Sequence, residues 1–178
     1  MSGDTEGWQR VESWLRAVVP FALTLLLALI STLPIGVNGL GPVMPVLPAI
    51  AIYYWAIYRP DLFPLIATFL IGLVHDGLTG APIGLTSLVL LLLHGAAGSQ
   101  RKFFDRKGLA VTWVGFGIFA VGAGLLSWTA ASLFYWRLMD PSSVAVQWLL
   151  TVAVYPLIAW PFGVLQRELL SALSVRGR

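Results

Sequence analysis

The longest uncharged stretch of this chain limits its fold more than any other feature. Residues 17–58 contain no Asp, Glu, Lys or Arg, so 42 consecutive residues carry no charge. A helix crosses the hydrocarbon core of a bilayer with about 20 residues, which makes this stretch too long for one crossing. Its middle is rich in proline and glycine, which favour turns. The stretch therefore predicts two membrane helices, over residues 17–33 and 43–58.

The composition of the whole chain supports a membrane protein. Of its 178 residues, 58% are hydrophobic and 11% are charged, whereas soluble domains carry about 25% charged residues. This composition excludes a soluble globular domain. The chain has no cysteine, which excludes disulfides and thiolate metal sites.

Four further apolar segments predict helices three to six. They cover residues 62–75, 82–100, 108–136 and 141–166. Between the fourth and fifth helices, residues 101–107 predict a polar loop. The predicted fold class is therefore all-α: a polytopic membrane protein with six transmembrane helices in one domain, residues 17–166. Residues 1–16 before this domain form an amphipathic segment or a solvated tail, and residues 167–178 form a tail after it.

The second and sixth helices have special features. We expect helix two to be regular only from about Pro48 and, being short, to be re-entrant or shielded by its neighbours. The aromatic residues at its end predict a belt at the membrane interface: they are Tyr53, Tyr54, Trp55 and Tyr58. Within helix six, Pro156 and Pro161 predict a kink.

The basic residues orient the six predicted helices. Ten of the eleven Lys and Arg residues fall in the two ends of the chain or in the loops on the same side, and only Arg137 falls opposite. Short cytoplasmic segments are enriched in Lys and Arg. We therefore expect a multipass membrane protein with both termini in the cytoplasm.

Asp76, at the turn between helices three and four, is the charged residue whose surroundings are the most costly for a charge. Asp76 is flanked by long apolar segments, where a bilayer makes charges costly. Gly77, Gly80 and Pro82 then favour a tight reversal, so that helix three ends near His75 and helix four starts near Pro82. Asp76 could accept hydrogen bonds from the N–H groups of residues 83–85 at the start of helix four. The alternative is an acid that faces a partner or a ligand.

Two other groups of residues are candidate binding surfaces. Small residues four apart let helices approach closely, either within the protein or against another membrane protein. These residues are Gly95 and Ser99 on helix four and Ala120 and Gly124 on helix five. The basic residues of the 101–107 loop could set topology, hold anionic lipid or contact a cytoplasmic protein. They are Arg101, Lys102, Arg106 and Lys107.

The sequence lacks the motifs that identify common classes of enzyme. It has no glycine-rich phosphate loop, His-Glu-x-x-His or Gly-x-Ser-x-Gly. The intramembrane histidines, His75 and His94, are expected about 16–18 Å apart in depth, too far to share a metal. We expect His94 to be a hydrogen-bonded packing residue. No catalytic residue, metal, cofactor or nucleic-acid partner is predicted.

The hairpin carries a family resemblance. The residues Phe69, Gly72, Asp76, Gly80, Pro82 and Gly84 follow the spacing Phe-x-x-Gly-x-x-x-Asp-x-x-x-Gly-x-Pro-x-Gly. This pattern resembles that of the rod shape-determining protein family MreD, as do Pro48, Tyr54-Trp55 and Arg59-Pro60 upstream. The resemblance covers residues 48–100. His75 and Gly77 depart from it, since apolar residues are expected there.

The resemblance implies a non-enzymatic inner-membrane scaffold of the cell-elongation (rod) complex, with roles in cell shape and peptidoglycan synthesis. The implied partners are an MreC-like membrane protein, RodA with its penicillin-binding transpeptidase, and MreB. The family is also similar in fold to the S components of energy-coupling transporters, which implies an S-component-like bundle. The alternative function is a substrate-binding subunit of a small-molecule transporter, although Ala17, Ala22 and Ala28 lack the expected Ala-x-x-x-Ala spacing.

Overall fold

The computed structural model describes residues 18–33, 43–104 and 107–174, with side chains described up to residue 165. All regular structure in these residues is helical, which confirms the predicted all-α class. The helices are α1 (Val18–Ile30), α2 (Leu47–Tyr58), α3 (Leu65–Thr79), α4 (Leu85–Ser99), α5 (Arg101–Phe104), α6 (Leu109–Phe134) and α7 (Pro141–Ser174). The predicted N-terminal segment at 1–16 lies outside the described residues.

Two segments are long and apolar enough to cross a membrane. They are α6, with 26 residues, and the Pro141–Leu165 part of α7, with 25, close to the predicted spans 108–136 and 141–166. The apolar helices α2, α3 and α4 have 12, 15 and 15 residues, which corresponds to lengths of about 18–22 Å at 1.5 Å per residue.

Helix α2 lies at the centre of the bundle. Every residue from Leu47 to Ile57 is buried, and the helix packs against α4, α5 and α7. A helix that is hydrophobic on all sides is stable only when its neighbours cover it. The expectation of a shielded helix is therefore confirmed. The helix starts at Leu47, close to the expected start at Pro48. Pro48 is tolerated there because N–H groups in the first turn of a helix have no intrahelical partner, so the N–H that proline lacks is not missed.

The predicted aromatic belt on α2 is wrong for three of its four residues, while Tyr58 is half-buried. Tyr53, Tyr54 and Trp55 are 0%, 5% and 1% exposed and belong to the core. The Tyr53 hydroxyl donates to the carbonyl oxygen of Thr112 at 3.2 Å, and Trp55 stacks on Phe162 with ring centroids 5.2 Å apart. These aromatic rings lie against Phe116 of α6 and Phe162 of α7, so they face the interior of the bundle.

The predicted boundaries of the hairpin helices also need correction. Helix α3 continues past His75 and Gly77 to Thr79 and ends at Gly80, whose φ is +70°. Helix α4 starts at Leu85 and follows Gly84, whose φ is +93°. Positive φ is accessible to glycine at little cost, so Gly80 and Gly84 set the turn. Pro82 lies between the helices and not in the first turn of α4.

The segment expected to be a polar loop contains a helical turn. Residues Arg101–Phe104 form α5. The Phe104 side chain is buried and meets Tyr53 edge to face, with ring centroids 6.3 Å apart. A prediction from charge alone missed this apolar anchor.

Helices α6 and α7 form the second tightly packed pair of the bundle. The carboxylate of Asp140 accepts from the backbone N–H of Ser142 at 3.0 Å and from its hydroxyl at 2.6 Å, which caps α7. These two bonds also lower the pKa of Asp140 below its ordinary value. Helix α7 continues through Pro156 and Pro161 to Ser174, beyond the predicted end at residue 166.

Candidate functional site

The Asp76 carboxylate joins the two helices of the hairpin. It is fully buried, and its Oδ2 accepts from the backbone N–H of Gly84 at 2.8 Å. Its Oδ1 accepts from the N–H of Thr86 at 3.1 Å. These N–H groups lie at the start of α4, where the helix leaves donors unpaired and presents its positive end. The sequence predicts donors among residues 83–85. Gly84 lies in this range, whereas the second donor, Thr86, is one residue beyond it.

Below this cap, α3 and α4 approach closely. A Cβ atom at Gly72 would collide with the backbone of Ser87, so only glycine fits without a shift. The Ser87 hydroxyl donates to the carbonyl oxygen of Phe69 at 3.1 Å. Phe69 thus contributes its backbone to the seam, while its side chain is 37% exposed.

His94 provides the third polar contact along the same seam. Its Nδ1 lies 2.7 Å from the Thr68 hydroxyl oxygen, and both side chains are buried. The expectation of a hydrogen-bonded packing residue is confirmed. Its ring also lies beside Phe63, with centroids 6.2 Å apart. Among the described residues, no group of three or more His, Cys, Asp and Glu side chains could hold a metal ion.

The small residues proposed as a packing face fall on two different surfaces. Gly95 and Ser99 are exposed on α4, and a Cβ at Gly95 would meet open space. Ala120 is 1% exposed, and a Cβ at Gly124 would lie 3.0 Å from Cδ1 of Trp148. Ala120 and Gly124 therefore serve packing within the bundle, and a bulky side chain at either position is expected to disturb the fold.

Gly95 and Ser99 extend an exposed face of α4. Leu88 and Leu92 are 48% and 52% exposed, and they precede the two small residues at helical spacings of four, three and four. Residues at these spacings share one side of a helix. We call Leu88, Leu92, Gly95 and Ser99 the outer face of α4.

The basic residues follow α4 at one end of the bundle. Arg101 and Lys102 are exposed on α5, and Nζ of Lys107 lies 5.6 Å from the ring centroid of Phe103, within cation–π range. Arg106 lies outside the described residues. Phe103 is 57% exposed, so an apolar ring stands among the cationic groups, a combination typical of membrane-interface segments.

A cavity at the opposite end of the bundle has no counterpart among the features predicted from the sequence. A cavity of about 250 Å³ lies beside the α3–α4 turn and brings His75 together with Ser127, Gln147 and Trp148. His75 and Trp148 are 73 positions apart in the sequence. No local pattern links them, because only the packing of α6 and α7 against the hairpin brings them together.

The chain matches one known protein family over most of its length. The family described as rod shape-determining protein MreD matches residues 10–167, nearly the whole chain. The chain belongs to the MreD family. The resemblance seen in the hairpin is thus confirmed well beyond residues 48–100. No curated protein and no solved structure matches the chain.

Membership of the MreD family indicates the general role of the protein. MreD is a family of membrane proteins with a role in rod shape determination. The family is associated with MreC and MreB in the rod-shape complex and is not known for enzymatic activity. The six residues of the hairpin motif now have positions in this MreD-family fold: Phe69 (through its carbonyl oxygen) and Gly72 lie in the seam, Asp76 caps α4, and Gly80, Pro82 and Gly84 form the turn.

Proposed function

We propose that this protein is a non-enzymatic scaffold of the cell-elongation (rod) complex in the bacterial inner membrane, where it supports cell shape and peptidoglycan synthesis. The observation that carries the proposal is the MreD family match over residues 10–167. The contacts of the intramembrane acid agree with it. Both oxygens of Asp76 already bind backbone N–H groups, so this carboxylate has a structural task.

The scaffold is proposed to cross the membrane six times with both termini in the cytoplasm. The α3–α4 turn and the start of α7 border one cavity, whereas Pro60, Asp61 and Arg101 border another. This arrangement supports two distinct ends of the bundle, with Arg137 near the first and Arg59, Arg101 and Lys102 at the second. The more basic end faces the cytoplasm under the positive-inside rule.

Cysteine labelling tests this topology without background, because the chain has no cysteine of its own. Ser142→Cys follows the α6–α7 loop, and Ser99→Cys lies near the basic end; both positions are exposed. An impermeant thiol reagent added to intact cells should label Ser142→Cys and spare Ser99→Cys. Labelling of Ser99→Cys alone would overturn the proposed orientation.

The proposed docking surface is the outer face of α4. Membrane helices associate through close packing at small residues, because lipid supplies no hydrophobic drive. Gly95 and Ser99 are exposed and Gly95 has open space beside it, so a helix of an MreC-like protein could approach α4 closely there. RodA, its penicillin-binding transpeptidase and MreB are proposed as further members of the same assembly.

The proposed role of the basic end is to hold anionic lipid. Each basic residue near an anionic membrane surface contributes about 1 kcal/mol. The four residues concerned are Arg101, Lys102, Arg106 and Lys107. A cytoplasmic protein partner is the alternative for this surface.

Depletion of the protein in a rod-shaped host tests the scaffold role. We expect the cells to become round while nutrient supplements have no effect. The transporter alternative predicts a growth defect that one small molecule repairs in cells of normal shape. Normal shape together with such a repair would reject the scaffold proposal.

A further inference from the structure

An apolar groove runs along the outside of the α6–α7 pair. It measures about 400 Å³ and lies between α6 and the start of α7. Ala120, Gly124 and Ala145 line it, and their side chains are too small to fill the seam. Leu125 and Leu149 also line it and are 59% and 70% exposed, so the groove opens to the outside of the bundle. Among the described residues that line it, none is charged.

The dimensions of the groove limit what can lie in it. It extends along α6 from Ala120 to Trp128, a rise of about 12 Å, and along α7 from Pro141 to Val152, a rise of about 16 Å. A volume of about 400 Å³ over this length corresponds to a cross-section of about 25–33 Å², whereas a helix about 10 Å in diameter needs about 80 Å². The groove therefore has room for one hydrocarbon chain and is too narrow for a helix.

One end of the groove leads to a basic site. Trp128 lines both the groove and an open depression of about 390 Å³ at the end of α6. Ser132 and Arg137 line the depression as well, and no Asp or Glu is among the described residues around it. The next acid along the chain, Asp140, binds Ser142 at the start of α7. An apolar groove and a positively charged site are thus continuous.

Two donors in the depression are available to a ligand. The Arg137 side chain is exposed and forms no ion pair or hydrogen bond within the part of the chain that the structure describes. The Ser132 hydroxyl accepts from the backbone N–H of Met139 at 3.3 Å and donates to no other described group, so its proton is free for another acceptor. A guanidinium and a hydroxyl together fit the anionic oxygens of a phosphate.

The surroundings of Arg137 favour a lipid as the source of this phosphate. Trp136 and Leu138 flank it and are 89% and 82% exposed, and tryptophan is enriched where membrane helices meet the lipid head groups. An acyl chain gains no hydrophobic free energy by leaving the bilayer for a protein groove, so the head group has to supply the selectivity. A zwitterionic head group brings a cation, for which the depression offers no carboxylate. The chemistry therefore favours a head group with a net negative charge.

We propose that the apolar groove holds one acyl chain of an anionic phospholipid, with the phosphate beside Arg137 and Ser132. This site does not include the basic residues of α5, Arg101 and Lys102. The proposal is independent of the scaffold role. Cells can round on depletion whether or not the groove holds a lipid.

Photolabelling of the full-length protein in nanodiscs tests the proposal. The discs consist of phosphatidylcholine with a trace of either phosphatidylglycerol or phosphatidylcholine that carries a diazirine in one acyl chain, and mass spectrometry identifies the labelled residues. Labelling of Leu125 and Leu149 should be about fivefold higher with the phosphatidylglycerol probe, the effect of one basic residue. Ile118 is 71% exposed on α6 outside the groove, and the two probes should label it equally.

Two outcomes of this measurement would overturn the proposal. The first is equal labelling of Leu125 and Leu149 by the two probes. The second is labelling of both leucines that is weaker than that of Ile118 with either probe, which would mean that another protein or a second copy of the chain covers the groove.

Two pairs of variants locate the lipid. Ala145→Phe fills the groove and should lower the labelling of Leu149 by the phosphatidylglycerol probe to the level of the phosphatidylcholine probe. Ala153→Phe changes an exposed position of the same helix outside the groove and should match wild type. Arg137→Gln should remove the preference for phosphatidylglycerol, whereas Arg137→Lys retains the charge and should keep most of it. Equal labelling in the two alanine variants, or a preference that survives in Arg137→Gln, would overturn the proposal.

Discussion

The two most closely packed helix pairs of the bundle, α3–α4 and α6–α7, are held together in different ways. The α3–α4 seam contains buried polar contacts at three levels, made by Asp76, Ser87 and His94. The α6–α7 seam has an exposed hydrogen bond from Trp113 Nε1 to the carbonyl oxygen of Val152 at 2.7 Å, but next to Gly124 it relies on packing against Trp148 and borders an apolar groove of about 400 Å³. Buried directional contacts fix the hairpin in one geometry, whereas the apolar part of the α6–α7 seam beside the groove leaves room for adjustment.

The largest expected effect comes from removing the cap of the hairpin. Asp76→Leu leaves the N–H groups of Gly84 and Thr86 without acceptors, at about 1–3 kcal/mol each. The free energy of unfolding in detergent should fall by about 2–6 kcal/mol in total. Asp76→Asn keeps one oxygen acceptor and should cost about half as much. Equal damage by Asn and Leu in a protein that still folds would assign the charge itself to a ligand or partner.

The close approach at Gly72 should give the next largest effect. Gly72→Ala drives a methyl group into the backbone of Ser87, which cannot move alone, and overpacking of this kind costs about 1–3 kcal/mol. Gly77→Ala in the same helix meets open space and should stabilise by up to about 1 kcal/mol through helix propensity. Denaturant titration of the two variants measures the difference. Similar stabilities would show that the seam is not close-packed at Gly72.

The lower end of the seam should respond more weakly. Thr68→Val preserves the shape of the side chain and removes the hydroxyl that bonds His94 at 2.7 Å. We expect a loss of about 1–2 kcal/mol, because the buried imidazole then lacks its partner. Thermal unfolding of the variant, compared with Thr129→Val on the exposed side of α6, measures this loss. A shift no larger than that of the control would show that the contact contributes no stability.

The smallest effect is expected in the α6–α7 seam. A methyl group at Gly124 would lie 3.0 Å from Trp148, but that indole borders the groove and can shift. Gly124→Ala should therefore change the stability by less than about 1 kcal/mol, since helix propensity offsets the tight contact. Gly122→Ala, with open space around it, is the matched control. A loss as large as that of Gly72→Ala would remove the contrast between the two seams.

The hairpin could be predicted from the sequence because its determinants are local. Asp76, Gly80 and Gly84 fall within nine residues, and their spacing leads directly to a capped turn. Gly77 favours an end of α3 near His75, but the helix continues to Thr79. A glycine inside a helix costs only about 1 kcal/mol, and the contacts of Asp76 and Thr79 offset this cost.

The features that the sequence could not supply depend on distant packing. A run of aromatic residues is typical both of a belt at the membrane interface and of a hydrophobic core. The contacts of Tyr53 with Phe116 and Tyr155 show that this run belongs to the core. The inward position of Ala120 and the outward position of Gly95 likewise follow from where the other helices lie. Small residues at helical spacing indicate close approach but not the identity of the neighbour.

The central claim is that the rigid hairpin presents the outer face of α4 to another membrane protein. The most direct measurement is the amount of MreC-like partner that co-purifies in a gentle detergent with tagged wild type, Gly95→Leu and Gly122→Leu. Both glycines are exposed helical positions with open space, so the variants differ only in the helix they alter. We predict that Gly95→Leu lowers the recovered partner about tenfold, equivalent to about 1.4 kcal/mol, while Gly122→Leu matches wild type. Equal recovery with all three proteins, or a loss with Gly122→Leu alone, would contradict the account.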